Sequence, residues 1–207
     1  METSCIILAG GKSLRLGRDK AVEIVGKRSL LQQVLSCVSW LVSDIIIVTV
    51  KERAVPQFID YPSLRVVTDI YPGKGPLGGI YTGLVISTSF YNLVVASDMP
   101  FLNQALLRYM IQLSPNFDIV LPRVGNLVEP LHAVYAKSCL ASIEQMLKQG
   151  KLSIRQLFSL VRVRYVEAAE IERFDPKHLS FFNINTKADL EKARELARGD
   201  MVNNDKC

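Results

Sequence analysis

Hydrophobic residues occur along this chain in short consecutive runs, separated by longer stretches with helical periodicity. The apolar positions within each run are consecutive rather than alternating, which is typical of strands buried on both faces of a parallel sheet. The runs predict strands at Ser4–Ala9, Asp44–Val50, Arg65–Thr68, Asn92–Ala96, Asp118–Leu121, Leu131–Tyr135 and Arg162–Val166.

The stretches between these runs carry apolar residues every three or four positions, as amphipathic helices do. They predict helices over Ser29–Val42, Leu77–Ser87, Asn103–Leu113, Lys137–Lys148, Ser153–Leu160 and Lys187–Ala197. Alternating strands and helices predict a three-layer α/β/α domain of Rossmann-like, nucleotidyltransferase type with a mostly parallel sheet. In such sheets, ligands bind beyond the carboxyl ends of the strands.

The chain has 207 residues and no shift in composition along its length. We therefore expect one domain over residues 1–198, followed by a polar, disordered tail over 199–207. The four cysteines are far apart, no leader-like segment is present, and no apolar stretch is long enough to cross a bilayer. These features predict a cytoplasmic protein without a membrane partner.

A glycine-rich loop follows the first predicted strand and runs from Leu8 through Ala9, Gly10 and Gly11 to Lys20. Glycines let the backbone approach a ligand and present N–H groups to phosphate oxygens, while Arg15 and Lys20 supply countercharge. A Walker A motif is excluded, because Ile6 stands where that motif needs a glycine. The net charge is +5. No aromatic residue lies among the loop's basic residues, which argues against binding of single-stranded nucleic acid.

Two further loops follow predicted strands. Gly73-x-Gly75-x-x-Gly78 matches a dinucleotide fingerprint, but its two neighbouring prolines and mid-chain position favour a rigid loop that a second ligand approaches. Asp69 comes directly after a strand, and Asp98 comes two residues after the end of the next one. A carboxylate facing phosphate-binding loops is a natural Mg²⁺ ligand, so Asp98 is the predicted metal ligand, and its alternative is a turn or cap role.

Several ordered motifs resemble those of the molybdenum cofactor guanylyltransferases, which are MobA-like nucleotidyltransferases. The family's opening LAGGxSxRMGxDKA corresponds to residues 8–21, its DxxPGxGPLxGIxxGL to 69–84, and its DMPFL to 98–102. Its EPLHAxY corresponds to 129–135 and its FxNINT to 181–186. Leu16 replaces the usual methionine, and Thr49-Val50-Lys51-Glu52 stands where many relatives place an asparagine near the nucleotide.

The resemblance implies transfer of GMP from Mg²⁺-bound GTP to the phosphate of molybdopterin. Nucleotide contacts are implied for Leu8, Ala9, Gly10, Gly11, Lys20, Asp69 and Asp98, with Lys20, Arg15 and Asp98 as the catalytic set and Asp98 on Mg²⁺. Gly78, Gly79, Asn183 and Asn185 would lie on the pterin side. The double glycine at 10 and 11 favours guanine, and the product would pass to a molybdoenzyme or its chaperone.

Two alternatives stay open at this point. A related transferase using CTP, or a sugar phosphate as acceptor, would share the first loop and Asp98. A nucleotide-binding adaptor without turnover belongs to another class, and the presence of both Lys20 and Asp98 argues against it. His132 and His178 belong to no recognisable catalytic arrangement, and we interpret both as structural.

Overall fold

The computed structural model describes residues 2–10, 23–51, 61 and 63–204 of the chain. A central sheet of eight strands runs through this part of the protein. The strands, including those of a separate small hairpin, are β1 (Thr3–Leu8), β2 (Ile24–Val25), β3 (Arg28–Ser29), β4 (Asp44–Thr49), β5 (Leu64–Thr68), β6 (Tyr91–Ala96), β7 (Ile119–Val124), β8 (Leu127–Val128), β9 (His132–Ala136) and β10 (Val163–Glu167). All seven predicted strands are therefore present.

Seven α-helices lie in the described part of the chain. They are α1 (Leu30–Val38), α2 (Gly75–Ile86), α3 (Gln104–Leu113), α4 (Leu140–Lys148), α5 (Ile154–Leu157), α6 (Ala168–Ile171) and α7 (Lys187–Asn204). Short 3-10 turns occupy Lys137–Cys139 and Leu179–Phe181. Helix α7 continues past residue 198 into the segment for which the sequence predicts a tail; the division at 198 stays a prediction.

The strand order is β10-β7-β9-β6-β1-β4-β5, with β8 paired to β7. Neighbours are parallel except around β8 and β9, which are antiparallel to their partners. The predicted α/β fold with a mostly parallel sheet is confirmed. The direction of β9 differs from the parallel pattern, because a strand covered on both faces shows the same consecutive apolar run whichever way it points.

Each face of the sheet is covered by its own set of helices. One hydrophobic cluster joins Ile7 and Val95 to the apolar sides of α1 and α3. The other joins Ile6 and Val94 to α2, α4 and α5. Helix α2 approaches β1 very closely, because a Cβ atom added to Gly83 would lie 2.4 Å from Cγ2 of Ile6. The helix axis is thus held against the strand whose end carries the first loop.

A smaller apolar cluster fixes the C-terminal helix. Ile184, Leu190 and Ala193 pack with Val25 and Leu30, next to the β2–β3 hairpin. The Arg194 side chain also donates from Nε to the Ile24 carbonyl at 3.1 Å. This packing brings the segment just before α7 back to the sheet edge at which β1 and β6 end.

Candidate active site

The carboxyl ends of four parallel strands form one row at a single edge of the sheet. Leu8 of β1 pairs with Val48 of β4 and with Ala96 of β6. Thr49 of β4 pairs in turn with Thr68 of β5. This register aligns the first residues beyond each strand, so the polar residues that follow β1, β5 and β6 are brought together as the sequence predicted.

Backbone hydrogen bonds extend this pairing one step past the strands. The Ala9 N–H donates to Val48 O at 2.9 Å, and the Ser97 N–H donates to Leu8 O at 3.1 Å. The Asp69 N–H donates to Thr49 O at 2.8 Å. The loops therefore leave the sheet from fixed positions, which is the preorganisation that a phosphate-binding site requires.

The beginning of the first loop lies in the middle of this row. Leu8 is half-buried, Ala9 is buried, and Gly10 follows at the edge. A Cβ atom on Gly10 would lie 3.4 Å from Cγ1 of Val50, so the glycine stands against the residue after β4. Gly11, Arg15 and Lys20 lie outside the described residues, and their placement stays a prediction.

Asp69 caps the turn that leads into α2. Its Oδ1 accepts hydrogen bonds from the Tyr71 N–H at 2.9 Å and from the Thr82 hydroxyl at 2.8 Å. The Thr82 oxygen also accepts from the Ile70 N–H at 3.1 Å. Asp69 thus has a structural role in this turn. The sequence analysis did not predict Thr82 as its partner.

Asp98 is half-buried at the end of β6 and joins the sheet to the C-terminal segment. Its carbonyl oxygen accepts a hydrogen bond from the Ile184 N–H at 3.0 Å. Ile184 itself is buried. The contact places Asn183 and Asn185, which flank Ile184, beside Asp98, although 85 or more positions separate them in sequence.

The two asparagines differ in their surroundings. Asn183 is half-buried and donates from Nδ2 to the Phe181 carbonyl at 3.2 Å, whereas Asn185 is exposed. The Asn185 N–H donates to Oδ2 of Asp189 at 2.9 Å, which caps the start of α7. Both residues therefore reach the row of strand ends through tertiary docking.

Gly78 and Gly79 lie in the first turns of α2 and are buried. A Cβ atom on Gly78 would lie 2.8 Å from the Tyr71 carbonyl oxygen, and one on Gly79 would lie 3.0 Å from Cδ2 of Leu8. Gly78 lets the helix start pack against the preceding turn, and Gly79 lets it pack against the end of β1. Close packing alone therefore explains why both positions are glycine. Their assignment to the pterin side stays a prediction.

A second carboxylate, Glu129, lies near Asp98. Burial raises the pKa of Glu129, and the charge of Asp98 raises it further. Glu129 stands where the β7–β9 pairing is interrupted: Arg123 pairs with Val128 and Val120 pairs with Val134, so two residues oppose five. The sequence analysis did not select Glu129, although it opens the EPLHAxY motif; the Gly125-Asn126 turn was the available signal for this hairpin.

His132 lies beneath the row of strand ends. It pairs with Val95 of β6, is fully buried, and meets the Phe181 ring edge-on at 5.1 Å between centroids. Within the described residues neither ring nitrogen has a hydrogen-bond partner. Burial lowers the pKa of His132 to about 4, although the charge of Asp175 acts in the opposite direction. The imidazole is consequently neutral near pH 7, as a structural residue would be.

The described residues contain no group of three or more His, Cys, Asp or Glu side chains able to hold a metal ion. A magnesium–nucleotide site does not need one, because Mg²⁺ uses one or two carboxylates together with phosphate and water oxygens. Over the same residues, no helix is both long and apolar enough to cross a membrane.

Comparison with known proteins identifies the family. Residues 5–167 match the MobA-like NTP transferase domain. The chain belongs to the MobA-like NTP transferase family. The resemblance inferred from the ordered motifs is confirmed, and so is the nucleotidyltransferase class.

Relatives match over nearly the whole chain. A probable molybdenum cofactor guanylyltransferase from Pelotomaculum thermopropionicum is 37% identical over 198 residues, covering 95% of this chain and 94% of the relative. A molybdenum cofactor guanylyltransferase from Desulfosudis oleivorans is 35% identical over 201 residues, covering 95% of this chain and 96% of the relative.

Solved structures agree with this MobA-like assignment. Molybdopterin-guanine dinucleotide biosynthesis protein A from Archaeoglobus fulgidus superposes with a TM-score of 0.81 at 27% identity, covering 95% of this chain and 99% of that one. A 2-C-methyl-D-erythritol 4-phosphate cytidylyltransferase from Thermus thermophilus superposes with a TM-score of 0.71 at 17% identity, over 96% and 100% of the two chains. The second likeness concerns the fold alone.

Proposed function

We propose that this protein transfers GMP from Mg²⁺-bound GTP to the terminal phosphate of molybdopterin. Pyrophosphate is released and molybdopterin guanine dinucleotide is formed. The observation that carries the proposal is the convergence, in a MobA-like chain, of Leu8–Gly10, Asp69, Asp98 and the Asn183–Asn185 segment at one sheet edge. The names of the relatives support guanine as the base and molybdopterin as the acceptor.

The nucleotide is assigned to the β1 and β4 side of this edge. Leu8, Ala9, Gly10 and Gly11 would contact guanine and phosphate through backbone groups, and Asp69 would hold the nucleotide from the β5 side. Lys20 and Arg15 would face the charge that develops on the phosphates. Gly78, Gly79, Asn183 and Asn185 are assigned to the pterin of the acceptor.

Asp98 is the carboxylate that would hold Mg²⁺. The residues present fit the ion, because a hard carboxylate oxygen at the end of a strand, beside a phosphate-binding loop, is the donor that Mg²⁺ prefers. The bound ion supplies neutralisation of phosphate charge. Asp98 also holds the Ile184 backbone, so the same residue links the metal position to the asparagines.

The reaction needs no protein nucleophile. An oxygen of the acceptor phosphate forms the new P–O bond to the α-phosphorus, the bond from that phosphorus to the bridging oxygen breaks, and pyrophosphate leaves. Two of the described cysteines are not suited to act as a nucleophile in place of the acceptor phosphate. Burial raises the pKa of Cys37 to about 11 and that of Cys139 to about 12, so both stay protonated thiols. The protein contributes binding, alignment and charge.

The proposal is tested by nucleotide-dependent thermal stabilisation and by pyrophosphate release. GTP with Mg²⁺ should raise the melting temperature more than CTP, ATP or UTP, and EDTA should reduce the effect. Pyrophosphate should appear only when molybdopterin is added. Turnover with CTP or UTP but not GTP, using molybdopterin or a sugar phosphate, would assign the chain to a related transferase. Pyrophosphate release that stays at background with every combination of nucleotide and acceptor would favour a nucleotide-binding adaptor.

The setting of the reaction is part of the proposal. We place the enzyme in the cytoplasm, with handover of the product to a molybdoenzyme or its chaperone. Neither nucleic acid nor a membrane is assigned as a partner.

A further inference from the structure

A buried carboxylate, Asp175, lies between α6 and residues 180–185, the docking segment that contacts Asp98. Asp175 is only 6% exposed. Its Oδ1 accepts a hydrogen bond from the Leu179 N–H at 3.1 Å, and its Oδ2 accepts one from the Ser180 N–H at 2.8 Å. Within the described residues no lysine or arginine forms an ion pair with Asp175. A buried carboxylate is costly unless hydrogen bonds compensate it, so these two N–H groups are its main support.

Asp175 fixes the turn through which the chain enters the docking segment. Its carbonyl oxygen accepts a hydrogen bond from the His178 N–H at 3.0 Å, and its carboxylate accepts from the first two residues of the 3-10 turn Leu179–Phe181. His178 has a φ of 53°, in the left-handed region that residues other than glycine rarely adopt. Such a conformation persists only where surrounding contacts maintain it. The bonds to Asp175 therefore determine the direction of the chain after His178.

The same turn is bonded to the beginning of α3, five residues after Asp98. The Asn103 N–H donates to the hydroxyl oxygen of the fully buried Ser180 at 3.1 Å. The Asn103 side chain donates from Nδ2 to the Phe174 carbonyl at 2.8 Å, and Asn103 is also the N-cap of α3. Ser180 and Asn103 thus connect Asp175 to the loop that carries Asp98.

The docking segment and the loop of residues 98–103 lie side by side and run in opposite directions. Three contacts join them: Asp98 with Ile184, Phe101 with Phe182, and Asn103 with Ser180. The two phenylalanine rings are 5.9 Å apart between centroids. Because the contacts follow one another along both segments, a displacement at Ser180 is transmitted to residues 182–185.

Asp98 is held in place by separate contacts with the sheet. The Ser97 N–H donates to Leu8 O at 3.1 Å, and the Ala96 N–H donates to Leu131 O at 3.1 Å. The end of β6 is therefore fixed by β1 on one side and by the chain leading into β9 on the other. A change at Asp175 is expected to displace the docking segment and to leave the nucleotide side of the sheet edge unchanged.

We infer that Asp175 is a positioning residue for the reaction, because it holds Ser180 and, through it, keeps Asn183 and Asn185 beside Asp98. The inference rests on the proposed function, which assigns the two asparagines to the acceptor, and extends it by naming the group that keeps them there. Asp175 acts through the docking segment and is not assigned to either substrate.

The test uses the full chain with the variants Asp175→Asn and Ser180→Ala. The first keeps the size of the side chain but replaces one carboxylate oxygen by an NH2 group, which cannot accept from an N–H. The second removes the hydroxyl that accepts from Asn103. The matched control is Asp118→Asn. The half-buried Asp118 also accepts from a backbone N–H, that of Arg162 at 2.8 Å, but it precedes β7 at the opposite edge of the sheet.

Three measurements separate positioning from a general loss of stability. Amide hydrogen exchange at Ile184 reports on the docking segment, with the amides of β6 as internal reference. Pyrophosphate release at varied molybdopterin concentration gives KM and kcat, and thermal stabilisation by Mg²⁺-GTP reports on the nucleotide side. Loss of folded protein alone would lower kcat and leave KM unchanged.

In both variants Ile184 should exchange about tenfold faster, and the KM for molybdopterin should rise about tenfold, as is typical when a residue supporting a ligand-binding group is removed. The kcat and the GTP-induced shift should stay within about twofold of wild type. Asp118→Asn should lower the melting temperature without changing the KM or the exchange of Ile184.

An unchanged KM in both variants would overturn the inference, and so would an equal rise of the KM in Asp118→Asn. A wild type that releases no pyrophosphate would instead overturn the proposed function. The exchange of Ile184 would then decide whether Asp175 holds the docking segment, and an unchanged rate in both variants would overturn that role.

Discussion

The β5–α2 and β6–α3 connections begin in the same row of strand ends, yet their aspartates are used differently. Asp69 is held by neighbours in sequence, since its carboxylate accepts from Tyr71 and from Thr82 in the following helix. Asp98 instead binds a distant segment through its carbonyl oxygen, at Ile184. An aspartate after a buried strand thus predicts an edge position, but only the partner elements determine whether it fixes a local turn or joins two distant parts of the chain.

The largest expected effect is at Asp98. Asp98→Ala should lower metal-dependent turnover about 1,000-fold or more, because it removes the only carboxylate assigned to Mg²⁺. Its backbone bond to Ile184 does not need the side chain, so the circular dichroism spectrum should be unchanged. Glu172→Gln, at an exposed carboxylate, serves as the control for loss of a charge. Near-normal turnover in Asp98→Ala would remove Asp98 from the mechanism.

The second effect concerns His132, which is buried beneath the strand ends that carry Asp98. The folded protein binds a proton on His132 only below about pH 4, whereas the unfolded chain does so below about 6.5. Stability from the neutral imidazole is therefore fully present above pH 6.5 and is lost as pH falls toward 4. The loss should reach about 3 kcal/mol, since one pKa unit corresponds to about 1.4 kcal/mol.

This pH dependence is measured by urea unfolding between pH 4 and pH 7.5. His132→Phe should flatten the curve in the window from pH 6.5 to pH 4. An equally steep curve in the variant would show that another group titrates there.

The third effect concerns the close packing of the β5–α2 side. Gly83→Ala should lower the free energy of unfolding by about 2–3 kcal/mol, because the new Cβ would stand 2.4 Å from the buried Ile6 side chain. Val85→Ala, at an exposed position of the same helix, is the matched control. The two variants are compared by urea denaturation. Equal stability of Gly83→Ala and wild type would mean that α2 can move away from β1 without loss.

The smallest expected effect is at Asp69, which caps the turn before α2 and is proposed to bind the nucleotide. Asp69→Ala should cost about 1–2 kcal/mol of stability, because the Tyr71 N–H loses its acceptor and the Thr82 hydroxyl keeps only the Gly78 carbonyl. Asp69→Asn keeps an acceptor oxygen, so it should recover most of that stability while still weakening GTP binding if the carboxylate contacts the nucleotide. Thermal unfolding with and without GTP distinguishes the two. Full GTP affinity in Asp69→Asn would limit Asp69 to its turn.

Local pattern was sufficient for most of the architecture. Strand β1 was predicted at Ser4–Ala9 and occurs at Thr3–Leu8, and the predicted helix 187–197 lies within Lys187–Asn204. The two-residue strands β2, β3 and β8 were missed, because periodicity cannot be detected over two positions. Helix α5 is shorter than predicted, ending at Leu157.

The α/β class, the functional strand ends and the family are all readable without coordinates, because they depend on local periodicity and on ordered motifs. Contacts in three dimensions fix the antiparallel direction of β9, the docking of Ile184 on Asp98 and the close packing of α2 on β1 at Gly83. Each of these depends on contacts between residues distant in sequence. A buried strand has the same apolar run in either direction, and no local pattern shows which distant segments pack together.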